Sequence, residues 1–302
     1  MQCYYHPGYF LPLPAGHPFP MAKFPEAHRL IVDGGVVPEA EIEIVEPCAR
    51  EHLELVHRPE YLDAIAEATL DPKAVTVLGL PPGPALFRRS VLAIEGSRRA
   101  ARVALRTGGL AANLAGGTHH AFADRGEGFC VLNDVALSVR DLQREHPDLR
   151  VLVVDTDAHQ GNGTNALLAG DPNVFTYSIH VAANYPSRKV PGSLDVGLER
   201  YVRGDAYLGA LRETLTAVLD RFGPDLVYWI SGADPHQNDR FGQMLLTLRD
   251  LHERDRFVLA SLRDRPRPLP VVVLYGGGYN REPGYTARLH RNAIAEAARW
   301  SG

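Results

Sequence analysis

The chain has 302 residues, 45% hydrophobic and 23% charged, enough apolar side chain to bury a large core without disulfide or metal staples, which excludes a disordered, collagenous or disulfide-scaffold class. Its 32 lysines and arginines against 36 acidic residues leave a net charge of −4, so there is no electrostatic footprint for nucleic acid or an anionic membrane. Cys3, Cys48 and Cys130 are too few and odd in number for a secreted framework and fit a reducing cytoplasm, and neither a signal peptide nor a membrane-length apolar run is visible.

Residues 1–60 are rich in turn-formers and read as loops wrapping the rim of a sheet. A helix is expected over 85–106, then a strand over 110–115. The stretch 132–145 has helical spacing, with Asn133 or Asp134 available as N-cap. Further strands are expected over 151–154, 174–179, 226–230 and 270–275, and helices over 205–222 and 243–260. The Pro/Gly stretches at 79–84 and 263–270 are loops within a domain rather than linkers between domains. Short unbroken apolar runs are the mark of strands buried on both faces. Their alternation with helices predicts one α/β domain over 1–302, an open, mainly parallel, doubly wound sheet with helices on both faces.

Ligands of such sheets bind beyond the carboxyl ends of the strands. Those ends here read Gly116-Gly117-Thr118-His119-His120-Ala121, Asp155-Thr156-Asp157-Ala158-His159-Gln160-Gly161-Asn162-Gly163, His180, Ser231-Gly232-Ala233-Asp234 and Gly276-Gly277-Gly278-Tyr279-Asn280. Alternation puts Asp155, Asp157 and His159 on one side of an extended segment. Two of them plus a distant carboxylate, best supplied by Asp234, make a three-ligand metal site with an open position, the arrangement of catalytic zinc. His119 and His120 are candidate bases, and the Tyr279 hydroxyl a candidate donor to an oxyanion. The competing structural reading has Asp157 and Asp234 capping helices, His159 in a polar corner, the His-His pair in an exposed loop and Tyr279 in the core. No Gly-x-Gly-x-x-Gly spacing or Walker lysine accompanies the glycines, which argues against a nucleotide site.

These motifs, with Gly128-Phe129-Cys130-Val131-Leu132-Asn133-Asp134, His57 and Tyr61, resemble the zinc-dependent histone deacetylase family with its arginase-like α/β fold, in the family's order over residues 4–295. The opening His17-Pro18-Phe19-Pro20-Met21 and the short chain are similar to the class IV and bacterial branch. The resemblance implies one zinc ion on Asp157, His159 and Asp234. It implies His120 as general base and later acid, oriented by Asn162, and His119 as electrostatic helper, oriented by Asp155. Tyr279 would polarise the scissile carbonyl and Gly128 would contact the substrate amide. Phe129 and Tyr185 would wall an acyl-lysine tunnel, with Phe241 at its rim. A potassium site would use Asp155, Asp157, His159, Ser178 and Ile179. Substrates would be acylated lysines of proteins or small acylated amines such as acetylpolyamines.

Two departures stand out. Thr118 replaces the tryptophan of class I members, which predicts a more open pocket foot, a hydrogen-bond partner there and acceptance of acyl groups larger than acetyl. No counterpart to the acidic rim residue of class I appears at 81–84. A binuclear-manganese ureohydrolase is disfavoured because Gly161 stands where that family needs a second aspartate. A non-catalytic acyl-lysine binder is disfavoured because ligands, base and tyrosine are all present.

Overall fold

The computed structural model describes residues 1–282 and 284–301. Its eight strands are β1 (Gln2–Tyr5), β2 (Ile42–Ile44), β3 (Leu110–Asn113), β4 (Val151–Asp155), β5 (Val174–Val181), β6 (Leu194–Leu198), β7 (Leu226–Ile230) and β8 (Val271–Leu274). They form one sheet in the order β2-β1-β3-β8-β7-β4-β5-β6, every pair parallel. The central strands β3, β8, β7 and β4 are buried along their whole length, as their unbroken apolar sequences require.

Among the described residues ten α-helices surround the sheet: α1 (Lys23–Asp33), α2 (Arg50–Leu53), α3 (Pro59–Ala66), α4 (Pro72–Leu78), α5 (Pro84–Thr107), α6 (Asp134–Gln143), α7 (Asn162–Leu168), α8 (Gly204–Arg221), α9 (Leu248–Arg263) and α10 (Tyr285–Arg299). The long α5 lies across β1, β3 and β8 and packs on α3 and α6, while α10 joins α1 and α9 in a second set. Local chemistry sets the boundaries. Helix α5 starts at Pro84 and stops at Gly108 in the left-handed region. The Asn133 side chain accepts the Ala136 N–H and caps α6.

The structure departs from the sequence expectation in several places. Residues 1–60 are not merely loops, for they supply β1, β2, α1 and α2. Helix α9 begins at Leu248, not at 243, because Thr247 and Asp250 close a capping box there. Leu245 and Leu246 ahead of it bridge instead to Arg203 and His236. Strand β6 and helix α10 were not anticipated. No helix among the described residues is long and apolar enough to cross a membrane.

Candidate active site

Four neighbouring strands deliver the site: β3 leads to His119 and His120, β4 to Asp157 and His159, β7 to Asp234, and β8 to Tyr279. Neither Asp157 nor Asp234 caps a helix. Asp157 Oδ2 accepts the Gly277 N–H at 2.7 Å, and Asp234 Oδ1 accepts the Ala158 N–H at 2.9 Å. Candidate ligand atoms of Asp157, His159 and Asp234 all lie within 4.8 Å of one another, and all three residues are buried. His159 Nε2 is 3.3 Å from the Phe241 carbonyl oxygen, to which only a ring N–H can donate. In the neutral ring this leaves the Nδ1 lone pair facing Asp157 Oδ1 at 3.0 Å and Asp234 Oδ2 at 2.8 Å. Asp234 Oδ2 is buried without a hydrogen-bond partner among the described residues, and burial together with the Asp157 carboxylate pushes the Asp234 carboxyl up to about 7. Converging lone pairs in a dry pocket, with like charges forced together, are what a bound cation relieves, so these residues fit a divalent metal such as zinc. Gly277 is part of the cradle: a Cβ there would meet Asp234 Oδ2 at 2.4 Å and Asp157 Oδ2 at 2.7 Å.

The tandem histidines have opposite environments. His119 Nδ1 lies 2.7 Å from Asp155 Oδ2, and His120 Nδ1 lies 2.8 Å from Asn162 Oδ1, the two rings being 4.1 Å apart. Burial would lower His119, but the Asp155 and Asp157 carboxylates outweigh it and raise it to about 9. His120 has only an amide beside it, so burial, reinforced by the neighbouring His119 and His159, holds it well below the usual imidazole range. Two adjacent groups with their protonation pushed apart are a common acid–base arrangement.

The turn carrying this pair is anchored at a distance from the metal residues. Buried Asp134 accepts the Gly117 N–H (3.1 Å), the Thr118 N–H (2.8 Å), and the hydroxyls of Thr118 and Ser97. The Thr118 hydroxyl also faces the Leu132 carbonyl and accepts the Asp134 N–H. This corrects the expectation of a free hydrogen-bond partner at the pocket foot, since the hydroxyl is already engaged by the loop. His57 and Tyr61 act on the same region as braces. His57 Nε2 accepts the Asn133 N–H, its Nδ1 donates to the Phe122 carbonyl, and the Tyr61 hydroxyl donates to the Val131 carbonyl.

A pocket of about 310 Å³ opens above these groups, lined among others by His120, Gly128, Phe129, His159, Tyr185, Phe241 and Tyr279. Tyr185 meets the His120 ring edge-on at 5.0 Å, and the rings of Phe129 and Phe241 lie 5.6 and 5.1 Å from Tyr279. Gly128 has φ 56°, and a Cβ there would sit 2.8 Å from both His120 and Tyr185. The Tyr279 hydroxyl has no partner among the described residues, and burial followed by the Asp157 and Asp234 charges keeps it protonated well above the ordinary phenol range. Below the histidines lies a small cavity, about 30 Å³, reached by Thr118, Lys23 and Arg89. Lys23 is 4% exposed, donates to the Gly276 carbonyl at 3.2 Å and is lowered to about 8 by burial.

Asp155 pairs with Ser178 across β4 and β5, with Ile179 next along, so the residues named for potassium are neighbours. The sequence reading missed Asp134's anchoring role, Lys23, Glu127 and Asp239. Asp239 accepts the Tyr279 N–H at 2.6 Å and the Phe241 N–H at 2.9 Å, tying the backbone of both residues to one carboxylate. Only folding brings these side chains together around the site.

Residues 17–295 match the histone deacetylase domain. The chain is 42% identical to an uncharacterized protein of Picosynechococcus sp. over 275 residues, 91% of each. It is 30% identical to the acetoin utilization protein AcuC of Staphylococcus aureus, over 87% of this chain and 73% of that one. The fold superposes on the crystal structure of an HDAC homolog complexed with SAHA and on that of an HDAC homolog from Aquifex aeolicus. Each gives a TM-score of 0.82 at 24% identity, covering 99% of this chain and 84% of the other. With its domain matched over most of its length, the chain belongs to the histone deacetylase family.

Proposed function

We propose that this protein is a zinc-dependent amidohydrolase that removes acyl groups from lysine side chains. The observation that carries the reading is the convergence of Asp157, His159 and Asp234 beside a neutral His120 at the base of an aromatic-walled pocket. Zinc held by these three residues would supply Lewis acidity, polarising the amide carbonyl and making water a competent nucleophile near neutral pH. His120, neutral and held through Nδ1 by Asn162, accepts the water's proton and returns it to the departing amine. His119, favoured as imidazolium by Asp155, adds positive charge next to the developing oxyanion. Tyr279 donates its unpartnered hydroxyl to that oxygen. Phe129 and Tyr185 sandwich the lysine methylenes, and Gly128, lacking a side chain, leaves room for the amide. A potassium ion near Asp155 and Ser178 would be structural.

The foot cavity of about 30 Å³ holds about two waters at the usual ~10–15 Å³ each, which favours acetyl and slightly longer acyl groups. Arg240 lines the pocket, and no carboxylate among the described residues does. A polycationic acetylpolyamine is therefore the less suited substrate class, and an acylated lysine of a protein the better one. Three buried free cysteines suit action in a reducing cytoplasm. The test is hydrolysis of a panel of acyl-lysine peptides of graded chain length and of acetylpolyamines by zinc-loaded protein, with and without chelator. Chelator-sensitive release of acetate from peptides is expected. Zinc-loaded protein that cleaves none of these amides would refute the reading.

A further inference from the structure

We propose that Glu127 is a positioning residue for the general base, fixing the orientation of the Asn162 amide and through it the proton position on His120. The inference rests on the amidohydrolase reading above for its kinetic consequence, but its structural content stands apart from it. Asn162 Nδ2 donates to Glu127 Oε1 at 2.6 Å, while Asn162 Oδ1 faces His120 Nδ1 at 2.8 Å. Glu127 is held in place on the turn that presents Gly128: the Cys130 N–H closes on its carbonyl at 2.9 Å, and Arg125 Nε stands 3.6 Å from its other carboxylate oxygen. It also stands beside Tyr185, whose hydroxyl is kept protonated by burial first and by the Glu127 charge second.

The two ends of a primary amide are nearly alike in shape, so hydrogen bonds alone decide which end faces the base. A carboxylate only accepts, so Glu127 must take the Asn162 N–H and leave Oδ1 for His120. That oxygen also only accepts, so the His120 proton must lie on Nδ1. The lone pair is then on Nε2, at the pocket side of the ring, where a proton has to be received. With the amide reversed, its NH₂ group would face Nδ1 and favour the Nε2–H tautomer, which has no lone pair at the reacting edge. Asparagine alone is indifferent between these states; asparagine with Glu127 behind it is not.

The experiment compares Glu127→Ala in the wild-type chain and in an Asn162→Asp background, all zinc-loaded. An aspartate at 162 needs no orienting, because either oxygen accepts from Nδ1, and Glu127 would face it as a like charge. In the wild-type chain, Glu127→Ala should lower kcat on the order of 10–100-fold, as loss of an outer-shell orienting partner does, with KM little changed. In the Asn162→Asp background the same substitution should leave kcat unchanged or raise it. Proton–nitrogen NMR of ¹⁵N-histidine-labelled protein should show His120 as the Nδ1–H tautomer in wild type, with Nε2–H appearing in Glu127→Ala. An equal loss of kcat in both backgrounds, or a His120 tautomer untouched by Glu127→Ala, would overturn the inference. The NMR arm decides it even if no amide in the panel is cleaved, an outcome that would count against the amidohydrolase reading alone.

Discussion

Replacing Tyr279 by phenylalanine separates chemistry from structure more cleanly than any other change in the pocket. The ring packs against Phe241, Phe129 and Phe19 with centroids 5.1, 5.6 and 6.0 Å away, and all of that contact survives the substitution. The deleted hydroxyl has no partner among the described residues, so no donor or acceptor is orphaned and no cavity is opened. Stability should therefore stay within about 0.5 kcal/mol of wild type. The hydroxyl is missed only where negative charge develops on the substrate oxygen. Losing one such donor costs on the order of 10²–10³ in kcat, equivalent to about 2.7–4 kcal/mol of transition-state stabilisation. The assay is steady-state hydrolysis of an acetyl-lysine peptide, with zinc content and thermal midpoint measured on the same preparation. Turnover within about threefold of wild type would refute the reasoning and leave Tyr279 a packing residue. A fall in zinc content or midpoint matching the loss of rate would show that the hydroxyl supports the fold instead.

Asp234→Ala removes a charged ligand from a three-residue set, so zinc should fall well below one per chain by elemental analysis; stoichiometric zinc with full turnover would disprove the site. Thr118→Val should destabilise by about 1–3 kcal/mol in urea unfolding because Asp134 and Leu132 lose their partner, while leaving the ratio of hydroxyacyl to acetyl turnover unchanged. A selective loss on hydroxyacyl substrates would restore the idea of a hydroxyl free for substrate. Burial lowers His57 from 6.5 to about 4, so the unfolded chain binds the extra proton first as pH falls. The stability from neutral His57 is fully present above pH 6.5 and is lost on the way down to about pH 4, on the order of 3 kcal/mol in all. His57→Gln should flatten unfolding free energy against pH by about that amount, and an unchanged slope would contradict it.

The central strands were legible because burial on both faces leaves an unbroken apolar run, as in Val151-Leu152-Val153-Val154. Strand β1 was not, being four residues long with a glutamine at its start and no run to detect. Helix α10 buries Ala287, Leu289, Ala293, Ile294 and Ala297, but Thr286, His290 and Glu296 are buried with them and interrupt the apolar pattern. At the site, Asp157, His159 and Asp234 stood out through position after strands and beside glycines, and the structure does bring them together. Tyr185 and Phe241 came only from family resemblance, because an aromatic in a loop has no local mark of what it faces. Asp134 shows the limit well. The sequence offers it as an alternative N-cap to Asn133, but Asn133 caps the helix and Asp134 turns back to hold the Gly117-Thr118 turn, a contact that exists only after α6 has packed on α5.

The strand order has a consequence for how the molecule can be assembled. Strands β3 and β4 are consecutive along the chain yet separated in the sheet by β8 and β7. A nascent chain that has reached only β6 can pair its strands as two unconnected triplets, β2-β1-β3 and β4-β5-β6. They become one sheet only when β7 and β8, synthesised last, slide between them. Such late, long-range parallel pairing is slow, and it leaves the apolar edges of β3 and β4 open while it waits. The catalytic candidates straddle this seam, His119 and His120 on one triplet, Asp157 and His159 on the other, Asp234 and Tyr279 on the inserting pair. Substitutions that weaken β7 or β8 should therefore show themselves first as aggregation during synthesis rather than as a less active enzyme.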